Sequence, residues 1–398
     1  MEQVVLWGIL IMVLVILAAK MKIAKKGEFQ EDFLSLSTSK ALLGMFAVLI
    51  VLHHISQMLG NLEMKQGCFA ALEGLGVCFV GMFFFFSGYG LMYSKKNRRN
   101  YLDGFLKKRL PGILIPFYVC IVIFVAFSII SQMPLQPLEI VAYLSGWWLL
   151  NNQMWYIVEI AIFYLAFFVI FKLVKKDSAG IAIFGLFMTF FVLTSIAVGH
   201  GPECECDKWL QGEWWYNSTF MMLFGMIVAN QEQRLLPFVR KHYGLLLSIC
   251  IIATALLMIP TNRVVAEGWY YCEYEESFTF AKVMSIKLMA LGIQFSMVFF
   301  SNLAILMIMM KVKCQNSILS ALGRISLDLY LIHNLFLIIF GYMRVGNITN
   351  SGVFALVVLA ASVLGAVIVH FISKILSGII LKSPAKAKMV KGQITPAV

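Results

Sequence analysis

The sequence predicts an all-α membrane protein, a polytopic bundle of about ten to eleven transmembrane helices with the N-terminus outside and the C-terminus in the cytoplasm. Three observations point there. Of the 398 residues, 61% are hydrophobic and only 13% charged, against about 45–50% and ~25% in soluble domains. Apolar runs of about 17–25 residues, long enough to cross a hydrocarbon core, recur along the chain and close with charge. The cations are also segregated. With the N-terminus outside, the stretches 20–40, 94–109, 172–178, 230–242, 311–324 and the tail from Lys374 hold 26 of the 32 Lys and Arg, as cytoplasmic loops do. The net charge of +12 is therefore mostly topological. A nucleic-acid partner is excluded, since no basic patch is interleaved with aromatics on a soluble domain.

Taken in order, the apolar runs give spans at 4–19, 41–59, 69–93, 110–130, 154–173, 179–198, 214–229, 243–260, 285–310, 318–342 and 353–376. The first is as short as a signal-peptide core, but no cation precedes it and no small-residue cleavage pattern comes after it, so it reads as a span. The organisation is then an extra helix with a basic linker (1–38), one transmembrane domain (39–381), and a Lys-rich cytoplasmic tail (382–398) suited to anionic lipid. Cys68, Cys204, Cys206 and Cys272 fall on outer loops or their edges, where a disulfide between the 200s loop and Cys272 is open. His200, Cys204 and Cys206 lack a fourth ligand, so no metal is expected.

Ionisable residues inside spans are costly, about 2.5–3.5 kcal/mol on insertion scales, and mark candidate functional sites. The second span runs outward and carries His53 and His54 about five residues before its end; the fifth runs inward with Glu159 about five residues after its start. At ~1.5 Å per residue both lie roughly 7–8 Å below the outer boundary. Glu73 is expected in the same layer, four residues into the third span, and His333 nearer the middle, with Asp328 deeper beside Arg324. An imidazole next to a carboxylate in a dry layer suits proton abstraction from a hydroxyl. At the opposite face Lys95, Lys96, Arg98 and Arg99 read as an ordinary positive-inside loop. Lys107, Lys108 and Arg109 instead abut a span start, where cations can hold donor phosphates. Between the faces, Ser87-Gly88-Tyr89-Gly90 favours a break or a close helix approach.

These residues, taken in order, resemble the acyltransferase family 3 of integral membrane O-acyltransferases over about residues 39 to 376. The pieces are Gly44 through Leu52 into His53-His54, Phe83 to Tyr89, and Phe105 to Leu110 leading to Pro116. They continue with Trp155 to Glu159 with Phe163-Tyr164, Trp214-Trp215-Tyr216 with Gly225, and Gly323 to Ser326 with Leu329 to His333. The resemblance implies a multi-pass protein of a cell membrane, a bacterial plasma membrane, that moves an acyl group, usually acetyl, from cytoplasmic acetyl-CoA to a hydroxyl of an extracytoplasmic glycan or envelope molecule. It implies no permanently bound cofactor. Its catalytic histidine follows a glycine by ten residues, which selects His54 from Gly44, with His53 beside it and Glu159 or Glu73 to orient it. Donor-site candidates are Lys107, Lys108, Arg109, Ser87 and Lys40; acceptor-side candidates are His333, Trp155, Trp214 and Trp215. The chain departs from the family pattern at Leu43 and at Gly112, where arginines are expected.

A competing reading is a transporter or exporter of a lipid-linked glycan, with the buried His and Glu as a proton relay. Against it, no pair of short Gly- or Pro-broken segments recurs in two halves.

Overall fold

The computed structural model describes residues 2–133, 135–199, 208–211, 216–275 and 277–381. Fourteen α-helices are described: α1 (Glu2–Ala18), α2 (Leu36–Asn61), α3 (Gly76–Asn97), α4 (Phe105–Arg109), α5 (Pro111–Ile130), α6 (Pro137–Ser145), α7 (Trp155–Leu173), α8 (Asp177–Val198), α9 (Tyr216–Thr219), α10 (Met221–Lys241), α11 (Tyr243–Ala266), α12 (Phe280–Met309), α13 (Ser317–Leu337) and α14 (Ser351–Ile380). Among the described residues the only sheet is a two-residue antiparallel pair, β1 (Lys22–Ile23) with β2 (Val312–Lys313). Nine of the described helices are long and apolar enough to cross a membrane, and the protein is a multi-pass, all-α membrane protein.

Helix starts follow ordinary capping chemistry. Ser35 Oγ accepts from the Thr38 amide at the start of α2, Asn316 Oδ1 from Leu319 at α13, and Asn350 Oδ1 from Val353 at α14. Each satisfies an amide that the first helical turn leaves without an acceptor. The N-terminal helix α1 is apolar but only 17 residues long, and it packs along α14.

The bundle is organised around α2, the most enclosed of the nine spans, whereas α11 is the least. Helices α2 and α13 run in parallel and cross backbone to backbone at a glycine pair. A Cβ on Gly44 would lie 2.3 Å from the Gly323 nitrogen, and one on Gly323 would lie 2.2 Å from the Lys40 carbonyl oxygen. Any side chain there would force the helices apart. His54 follows Gly44 by ten residues and His333 follows Gly323 by ten. From one crossing, therefore, both histidines arrive at the same height, about 15 Å along the pair.

The structure corrects several expectations. The run 69–93 is not one span: a 3₁₀ turn (Gly67–Leu72) precedes α3, and Glu73 sits in the bend between them. The turn is held against α2, where Ser56 Oγ donates to Phe69 O and His53 Nδ1 to Leu72 O. Gly76 makes this possible, because a Cβ there would meet the His53 ring at 2.4 Å. Conversely, Ser87-Gly88-Tyr89-Gly90 does not break α3; Gly88 lets α10 approach closely. The expected span 214–229 begins outside the described residues, and its helical part α10 runs on through polar residues to Lys241. Lys287, counted among the outer cations, is buried on α12. Asp328 pairs not with Arg324 but with His370 of α14, at 2.9 Å.

Candidate active site

At the end of the bundle where α2 finishes and α3 and α7 begin lies a cavity of about 320 Å³. One wall carries His53 and His54 from α2; the facing wall is built from α9, α11 and α12; Trp155 and Trp209 stand at its sides. The bend residues Glu73 and Gly74 and the loop residues Asn152 and Gln153 complete the lining at the bundle's end.

The histidines are held in defined tautomers by groups that can only accept. His54 Nδ1 donates to Gln57 Oε1 at 2.9 Å, and His53 Nδ1 donates to the Leu72 carbonyl at 3.0 Å. His333 Nδ1 donates to the Tyr330 carbonyl at 2.7 Å, leaving its Nε2 buried without a partner. With Nδ1 protonated, the lone pair of each ring sits on Nε2. The His54 ring stacks on His333, with centroids 5.1 Å apart and planes 24° apart, and it tilts against His53 at 4.6 Å. His333 is fully buried and does not line the cavity, so it backs His54 rather than meeting what enters.

The carboxylates lie elsewhere. Glu159 is fully buried on α7, where its Oε1 accepts from Thr219 Oγ1 at 2.5 Å and its Oε2 has no partner. It therefore fixes the short helix α9. Glu73 Oε2 accepts from Gln66 Nε2 at 3.1 Å. The side chain bonded to His54 is Gln57, one turn further along α2. The wall opposite the histidines is tied by Gln294 Oε1, which accepts from Asn217 Nδ2 at 3.0 Å and from the Tyr270 hydroxyl at 2.7 Å.

Asn151 closes the side wall. Its Nδ2 donates to the Leu331 carbonyl, and its Oδ1 accepts from Asn334 Nδ2 and the Gln153 amide. The segment leading into Trp155 is thereby pinned to α13. Trp155 stacks on Phe84 with centroids 6.3 Å apart. Trp214 and Trp215, and also His200, Cys204 and Cys206, lie outside the described residues. The expected disulfide to Cys272 falls there too, while Cys68 is a free thiol.

At the other end of the bundle the expected donor residues gather around α4. Lys107 and Lys108 are exposed, and Arg109 Nη2 donates to the Tyr101 hydroxyl at 2.8 Å. The Tyr101 ring packs on Phe105, Phe105 packs on Tyr164, and the Tyr164 hydroxyl bonds Ser87 Oγ at 3.1 Å. A continuous chain of contacts thus links the basic rim to the middle of α3. Lys40 is exposed at the α2–α13 crossing, and Gly112 is exposed with open space where a side chain would stand. The histidine cavity does not open to Ser87. Beneath it is only a void of about 10 Å³, enclosed by Ile50, Val80, Phe83, Tyr156, Leu327 and Tyr330, barely the ~10–15 Å³ that one water requires.

Gln57, Asn151, Asn217, Ser218, Thr261, Gln294 and Tyr330 belong to this site, and the apolar pattern of the sequence does not single them out. Gln57 is within reach of such a reading, three residues after His54 and hence on the same helix face. The polar triplet Asn217-Ser218-Thr219 in an apolar setting is a second available signal.

A family model described as Acyltransferase domain matches residues 41–371, and the chain belongs to that family, acyltransferase family 3. No curated protein and no solved structure matches it. The protein is a multi-pass membrane acyltransferase. Membership counts against the transporter reading.

Proposed function

We propose that the protein transfers an acyl group, acetyl in the simplest case, from cytoplasmic acyl-CoA to a hydroxyl of an extracytoplasmic glycan, with His54 as the general base. The observation that carries this reading is the state of His54: it lines the cavity, its Nδ1 proton is committed to Gln57, and its Nε2 keeps a lone pair. A neutral imidazole so held is a competent proton acceptor. In the step proposed, the acceptor hydroxyl gives its proton to Nε2 as its oxygen attacks the thioester carbonyl. The new C–O ester bond forms, the C–S bond breaks, and the imidazolium returns the proton to the departing CoA thiolate.

The imidazolium formed is flanked by His53 and His333, whose Nδ1 protons are already spent on carbonyls. Those rings can remain neutral beside it, which avoids like-charge repulsion. On the donor side, Lys107, Lys108 and Arg109 would hold the phosphates, and Ser87 would lie along the path of the thioester arm. The orientation this requires, histidine end outside and basic end in the cytoplasm, is supported by the distribution of Lys and Arg.

The test uses vesicles with the basic end facing a labelled acetyl-CoA supply. Label is expected on a saccharide acceptor on the far side, and its loss in folded His54→Ala is expected. Wild-type transfer by His54→Ala would overturn the assignment.

A further inference from the structure

The wall facing the histidines carries an unusual set of groups. Asn217 Oδ1, Ser218 Oγ, Thr261 Oγ1 and the Tyr330 hydroxyl are all buried without a hydrogen-bond partner, and all four residues line the cavity. Buried polar groups are nearly always paired, and an orphan lowers stability. Four orphans around one cavity, three of them from α9 and α11 on one wall, are therefore not random packing defects. The surroundings hold them in place. Gln294 takes the Asn217 amide nitrogen, leaving Oδ1 as the spare acceptor, and Glu159 anchors Thr219 at the next position but one.

From this wall we infer an acceptor-recognition subsite for a neutral, polyhydroxylated ring, a sugar unit, presented to His54 across the cavity; this rests on the acyl-transfer reading above. The chemistry selects that class. Three hydroxyls and one amide oxygen can exchange hydrogen bonds with ligand hydroxyls in either direction. Trp155 and Trp209 supply flat apolar faces of the kind that cover the C–H face of a ring. No Lys or Arg lines the cavity among the described residues, so nothing there compensates a phosphate or a carboxylate. At about 320 Å³ the cavity is at the small end of ligand pockets, about 300–1,000 Å³, which fits a terminal unit rather than the interior of a chain.

The test is saccharide binding measured apart from transfer, by tryptophan fluorescence of the purified full-length protein titrated with chitotriose. The variants are Ser218→Ala, Thr261→Val and their combination, with thermal unfolding monitored in parallel. Each removes an unpaired buried hydroxyl, so folding is expected to be unchanged or slightly firmer. Saccharide affinity is expected to fall about threefold for each single variant and about tenfold for the pair, in line with one net hydrogen bond each. His54→Ala is expected to bind chitotriose as the wild type does while losing transfer. Unchanged affinity in the double variant, or a wild-type protein that ignores the saccharide, overturns the subsite. Saccharide binding that survives alongside transfer insensitive to His54→Ala would overturn the base assignment and leave the subsite standing.

Discussion

The two ends of the bundle solve opposite problems. At the histidine end nearly every polar side chain has an assigned partner: His54 on Gln57, His53 on Leu72, Glu159 on Thr219 and Asn217 on Gln294. The few groups left free all line or back one cavity. At the basic end, Lys107 and Lys108 are exposed and uncommitted. Only Arg109 is fastened, to Tyr101. A preorganised site is what bond-making needs, because interactions aimed at the transition state lose their value if they must first be ordered. A loose cationic rim suffices for capturing a flexible, polyanionic donor, where charge matters more than position. Variants at the histidine end should therefore lower kcat, and variants at the basic end should raise the donor KM.

The largest effect is expected from His54→Ala: a fall of about 10³-fold in kcat, within the ~10²–10⁴ range of general base catalysis, with the donor KM unchanged. Release of free CoA thiol in detergent solution measures both. Next is the α2–α13 crossing. Gly44→Leu drives a side chain into the Gly323 backbone and should destabilise the bundle by about 1–3 kcal/mol, read as a lowered unfolding temperature with activity lost in proportion. Gln57→Leu leaves His54 Nδ1 without an acceptor and frees the tautomer. A drop of about tenfold in kcat is expected, the size of one lost hydrogen bond to a group that becomes charged, and Gln57→Glu, which keeps an accepting oxygen, should restore much of it. Last, Lys107→Ala with Lys108→Ala should raise the donor KM a few-fold, an effect that 1 M salt erases by screening. Gly112→Arg should move the donor KM the other way, since the position is exposed and has open space. If the paired lysine variant changed kcat and left the donor KM alone, the contrast between the two ends would fail.

Much of the fold is legible because hydrophobic runs in a membrane protein carry their own length scale. The helices α2, α5, α7 and α8 lie close to where apolar content puts them. The third span reads as one unbroken run because Phe69 to Leu72 is as apolar as α3 itself. Only Gly74 and Gly76 hint at a bend, and its cause, the His53 ring and the Leu72 carbonyl, is tertiary. Lys287 reads as an outer cation because a lysine near a helix start ordinarily snorkels; here α12 begins seven residues earlier and buries it. Within the site, His53 and His54 stand out as costly residues in an apolar run. The pairing of His54 with His333 cannot be read from either segment alone, because it depends on two glycines 279 residues apart in the chain. Asn217 and Ser218 sit on a four-residue helix that no periodicity can reveal.

The seam of Phe83, Tyr156 and Leu327 beneath the cavity has a consequence for the cell as well as for the enzyme. A bore wide enough for a thioester arm, if permanently open, would be a leak through which water, protons and small ions could drain the gradients the membrane maintains. Apolar constrictions stop conduction by staying dry, and a void of about 10 Å³ leaves no room for a water file. At rest the protein is thus an electrical insulator. Each turnover would need these side chains to part around the donor and to reseal when it withdraws, so that the substrate itself serves as the stopper.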